Sequence, residues 1–174
     1  MHAFYELVER CVNFTLRNLD DLQNKTIEEL QTSGSTRLVK NLQMIELQKS
    51  IMIVGMFSLL ESITQDRFDC KDGFKEIEKV LSKEGECKLA QEFNDFKDAV
   101  NVLKHGKGTS YNRLVERREC LNFRIRLPDE NFFHEGDVSE IFTLIQVDNK
   151  LILECSRLIT AISEVMRRRP GGWY

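Results

Sequence analysis

Residues 38–63 read LVKNLQMIELQKSIMIVGMFSLLESI, and this stretch decides the fold. Leu38, Leu42, Ile45, Met52, Met56, Leu59 and Ile63 recur in steps of three and four, the rhythm of one helix face. Lys49 is the one exception in that stripe. Ile51, Val54 and Leu60 form a second apolar stripe that widens the buried face in the latter half. A helix apolar on two sides lies centrally in a bundle or at a subunit interface. Its most apolar run, 51–60, is well short of the roughly 20 residues a membrane span needs. A buried helix, with no membrane association, is therefore expected.

The same periodicity extends outward. Phe4, Val8, Cys11, Leu19 and Leu22 predict a helix over about 2–30, and Ser33-Gly-Ser-Thr36 supplies its break and the next N-cap. Asp69 to Gly73 reads as a loop and 74–83 as a short helix. A helix over about 88–105 carries Leu89, Phe93, Phe96, Val100 and Leu103 toward the core, and Gly106 is placed to stop it. A short helix follows over about 110–119. Residues 121–127, LNFRIRL, alternate apolar and polar side chains, which predicts an extended arm or half of a small β-hairpin. Asp137-Val-Ser-Glu140 has capping-box spacing and predicts the start of a last helix running to Arg169. Its stripe is Ile141, Ile145, Ile152, Cys155, Ile159, Ile162 and Met166, interrupted by Asp148. Breaks such as Lys49 and Asp148 usually face solvent; the alternative is pairing inside the bundle or setting register at an interface. The expected architecture is all-α: a four-helix up-and-down bundle with short extra helices, one domain over 1–169 and a tail over 170–174. The heptad stripes and the greasy second helix favour a homodimer.

Composition narrows the function. The chain has 174 residues and a formal net charge of −3, so it is no generic polyanion binder, and any nucleic-acid contact must be a local patch. Five cysteines without a C-x-x-C pair argue against a disulfide framework or zinc site and for a reducing cytoplasm. The first ten residues hold no hydrophobic signal core. Glu-x-x-His, His-Glu-x-x-His, P-loop and dinucleotide-binding glycine patterns do not occur, so no metal or cofactor is implied.

The chemistry-bearing stretch is Asn101-Val-Leu-Lys-His-Gly-Lys-Gly108. Asn101 lies one turn before His105 on the same helix face, and Lys104 and Lys107 flank the histidine. Tyr111 and Arg113 follow directly. Between Lys97 and Arg126 there are eight basic residues and three acidic ones, a local excess of +5 (8 − 3) in an acidic chain. A proton-carrying histidine among cations is what metal-free phosphodiester cleavage uses: the imidazole moves a proton and the cations bind phosphate.

Helix, Asn-x-x-x-His, glycine-basic-glycine, Ser-Tyr and a long terminal helix together resemble the HEPN superfamily. That resemblance implies a helical bundle, commonly dimeric, and a metal-independent ribonuclease or nucleotide-binding domain of bacterial toxin–antitoxin and anti-phage systems. In such enzymes the motifs of two subunits meet in one composite site. Carried over residue by residue from Asn101 to His105, it assigns acid/base chemistry to His105 with Asn101 beside it; the local basic excess around the histidine is what points to RNA or phosphate binding at Lys104, Lys107, Tyr111 and Arg113. The family's arginine falls at position 100, where this chain has Val100. The other reading is a non-catalytic helical regulator, an antitoxin or accessory subunit that dimerises or binds a cognate protein.

Overall fold

A computed structural model describes residues 4–130, 132 and 137–168. Six α-helices follow in chain order: α1 (Phe4–Leu30), α2 (Thr36–Phe68), α3 (Gly73–Lys83), α4 (Cys87–His105), α5 (Thr109–Glu116) and α6 (Asn149–Arg167), with a short 3-10 turn over Arg118–Cys120. The four long helices form the bundle. α1 packs on α2 and α6, and α4 packs on the same two, so α1 and α4 lie diagonally opposite. The five-residue link from α1 to α2 makes that pair antiparallel neighbours. α3 lies across α2, α4 and α6, and α5 leans on α4.

Two helix ends near the site have a clear local cause, the start of α3 and the end of α4. Asp72 accepts the Lys75 amide at 3.0 Å and caps α3. α3 then crosses α2 so closely that a Cβ on Gly73 would collide with the Glu61 carbonyl oxygen, which restricts that position to glycine. Gly106 ends α4 with φ 73°, a backbone shape that favours glycine, and its amide donates to the Val102 carbonyl at 2.8 Å.

The core centres on Phe57 of α2, which is fully buried. It stacks on Phe93 and Phe96, successive turns of α4, with ring centroids 6.0 Å away in both cases. Phe74 of α3 sits 5.6 Å from Phe93, and Phe123 sits 5.9 Å from Phe96. One aromatic cluster thus joins three helices and the segment after α5. Such pairs contribute roughly 0.5–1.5 kcal/mol each beyond their burial.

Three expectations change. Residues 137–148 are not helical, and α6 starts only at Asn149. Asp148, which interrupted the apolar stripe, is the true N-cap: it accepts the Leu151 amide at 2.8 Å. Asp137 instead accepts from the amide and hydroxyl of Ser139, a local turn. The arm over 121–127 forms no strand; Ile125 and Ile145 make a single antiparallel bridge, flanked by Arg126 N to Leu144 O at 2.8 Å and Gln146 N to Arg124 O at 3.0 Å. Its partner is the very segment that the apolar spacing read as helix. Finally, Lys49 is buried at 5 % exposure and pairs with Glu46 one turn earlier at 3.0 Å. The second stripe divides: Leu60 is core, whereas Ile51 points outward about half exposed, and so does Leu59 of the first stripe. Among the described residues no helix is long and apolar enough to cross a membrane. The C-terminal tail, His2 and His134 lie outside the described residues.

If Asp148 caps α6, Asp148→Ala costs about 1 kcal/mol of unfolding free energy in urea. Asp137→Ala, at the start expected from spacing alone, costs a few tenths at most. The reverse order contradicts this helix start.

Candidate functional site at the α4–α5 corner

Asn94, Asp98, Asn101 and His105 share the face of α4 turned from its core stripe, while Phe93, Phe96 and Val100 are buried. Asp98 is the anchor of that face, 8 % exposed. It receives Arg113 of α5 as a fork: Nε donates to Oδ2 at 2.8 Å, and Nη2 donates to Oδ1. Ser110 Oγ donates to Asp98 Oδ1 at 2.8 Å and accepts Arg113 Nη2 at 3.1 Å. Asn101 Nδ2 reaches the same hydroxyl at 3.5 Å. The bond to Asp98 holds the Arg113 guanidinium above its ordinary pKa. This clamp fixes α5 against α4 and commits the Arg113 charge to an internal partner.

The structure therefore divides the expected site residues. Asn101 and Arg113 come together, through Ser110 and Asp98. Tyr111 belongs to the core: it is buried, and its hydroxyl donates to the Arg126 carbonyl at 2.7 Å, tying α5 to the arm that follows. Burial also raises its phenol pKa. Lys104, His105 and Lys107 are exposed around the turn at Gly106. Among the described residues no ion pair engages Lys104 or Lys107. Lys104 is close enough to α2 to act on Glu61, whose carboxyl is pushed up by burial and by Asp72 and drawn back down by this lysine.

The basic excess counted along the chain does not survive folding as one patch. Arg113 pairs with Asp98, and Arg118 with Glu119. Lys97 pairs with Glu78, and Arg117 with Asp95 at 2.7 Å, two acids that lie outside the counted stretch. Burial raises the Asp95 carboxyl, and Arg117 offsets part of that rise. Arg124 stacks over Phe132, 5.5 Å from the ring centre. What stays open at the end of α4 is the pair Lys104 and Lys107 with His105 between them.

Asp98 and Ser110 escaped the sequence reading. Their signal was present: Asp98 stands one turn before Asn101, and Ser110 three residues before Arg113 on α5. In the sequence Lys49 reads as a break in the core stripe but not as part of a site. With Glu46, Asp137, Ser139, Gln146 and Asp148 it lines a polar pocket of about 240 Å³ beside α2. Its place on the core stripe was the clue. Among the described residues no cluster of three or more His, Cys, Asp or Glu side chains is placed to hold a metal ion. The five cysteines are unpaired, and burial pushes the Cys155 thiol far up, away from nucleophile chemistry.

No protein-family model matches this chain, and neither a curated protein nor a solved structure is significantly similar to it.

Val100 is 3 % exposed within the core cluster. Val100→Arg, which writes the missing arginine of the resembled motif back, buries an unpaired charge and destabilises by about 3–5 kcal/mol in urea unfolding. An unchanged midpoint contradicts the placement of this residue.

Proposed function

We propose that this chain is a HEPN-like helical domain of a bacterial defence or toxin-type system, one that binds single-stranded RNA at the α4–α5 corner without cutting it. The observation that carries the reading is the division of charge at that corner. Lys104 and Lys107 stand open on either side of exposed His105, while Arg113 is held by Asp98. Phosphate binding needs cations that are free to meet an incoming anion, and the two lysines qualify. α5 also begins here, at Gly108, without a side-chain cap, so its first amides lie beside the lysines.

Cleavage would ask for more. A developing negative charge on phosphorus needs a positioned cation beside the acid/base histidine. Position 100, where the resembled motif carries arginine, is a core valine, and the nearby guanidinium of Arg113 is already bonded to a carboxylate. His105 is then a contact to RNA rather than an acid/base. A regulatory role, as an accessory subunit that holds RNA or a cognate partner, follows more naturally than a toxin's.

Fluorescence anisotropy with a labelled single-stranded RNA tests this. Two phosphate contacts predict a slope of log affinity against log salt of about −1.4. The double variant Lys104→Glu with Lys107→Glu weakens binding about tenfold or more, and the RNA stays intact through prolonged incubation. Binding indifferent to the double variant overturns the site. Cleavage that disappears in His105→Ala replaces the binding reading with a nuclease.

A further inference from the structure

The bundle covers only one of the two apolar faces of α2. Ile45, Ile53, Phe57 and Leu60 are buried, whereas Met44, Leu47, Ile51 and Leu59 are each about half exposed. Single exposed apolar residues are ordinary on a protein surface. Here they line up: Met44, Leu47 and Ile51 follow steps of three and four, which continue through Gly55 to Leu59. Gly55 has open space where a side chain would stand, so the stripe has a dent beside Ile51. Exposed Lys40 bounds this side of the helix at one end and exposed Asp66 at the other, with no charged residue on that side between them.

The stripe complements itself when reversed. Lys40 and Asp66 are each 13 residues from position 53, Leu47 and Leu59 six, and Ile51 and Gly55 two. Two copies of α2 laid antiparallel about a twofold axis at that level bring Lys40 opposite Asp66 of the other copy, Leu47 opposite Leu59, and the Ile51 side chain opposite the dent at Gly55. A twofold interface requires this kind of self-complementary surface, and a helix–helix contact requires a knob for each hole. The matched span, from Lys40 to Asp66, is about 39 Å of helix at 1.5 Å per residue.

We infer that the outer face of α2 docks against the same face of a second copy of this chain, antiparallel and centred near Ile53. Charge complementarity at both ends, leucine on leucine between, and a bulky residue over a glycine all come from one surface, which singles out a second copy as the occupant. The inference does not depend on RNA binding, since it uses no residue of the α4–α5 corner.

Sedimentation equilibrium of the full chain tests it. The expected mass is about twice the 20.4 kDa of one chain at micromolar concentration. Ile51→Glu and Gly55→Leu each raise the dimer dissociation constant by about tenfold or more. Both positions face solvent in the single chain, and leucine favours helix over glycine. Gly55→Leu therefore keeps its helical circular dichroism and its melting temperature while losing the dimer. Lys40→Glu weakens the dimer, and Lys40→Glu combined with Asp66→Lys restores it. A wild-type chain that stays monomeric overturns the inference. So does a dimer indifferent to Ile51→Glu and Gly55→Leu, or a charge swap that fails to restore it.

Discussion

The stacking of Phe57 between Phe93 and Phe96 is the constraint on which the rest of the molecule depends. It fixes the rotation of α4 about its own axis. Once Phe93 and Phe96 point at α2, helical geometry sends Val100 to the same side and Asp98, Asn101 and His105 to the other. Position 100 is committed to the core before any functional demand reaches it. The same rotation aims Asp98 at α5, where it captures Arg113 and Ser110. Phe123, packed on Phe96, then brings in the arm whose backbone accepts the Tyr111 hydroxyl. The corner between α4 and α5 is shaped by the aromatic core as much as by its own residues.

The long helices were legible because each carries its own period. α1, α2 and α4 could be placed within a few residues from apolar spacing and from the stops at Ser33–Thr36 and Gly106. α6 was readable over its second half only. Ile141 and Ile145 stand four apart, as helix partners do, but Thr143, Ile145 and Val147 also alternate as an extended segment does. What decides between them is the bridge from Ile145 to Ile125, twenty residues away, and local spacing holds no record of it. A solvent-facing reading of Lys49 failed for a related reason: the stripe said core, the charge said solvent, and Glu46 one turn earlier lets the stripe win.

The site was legible as a list of residues and not as an electrostatic surface. Counting charges along the chain gathered Arg113, Arg117 and Lys97 into one basic patch. In space each meets a carboxylate, two of them from outside the counted stretch, and burial makes such pairs matter more than exposed ones. At the end of α4, the turn Lys104-His105-Gly106-Lys107 holds two exposed lysines that no ion pair engages among the described residues. The core valine at position 100 and the clamp on Arg113 are then two expressions of one arrangement: the cation that cleavage would use is absent from one place and occupied in the other. RNA binding without cleavage fits that arrangement. The outer face of α2 is a separate surface, built on the opposite side of the helix from Phe57, so association there leaves the corner unchanged.

The most direct test of the account is residue-resolved. In amide NMR spectra of the chain titrated with a short single-stranded RNA, the largest shift changes are expected at residues 104–109, with the core amides around Phe57 and Phe93 unmoved. Shift changes concentrated on another face, with those corner amides silent, would contradict it.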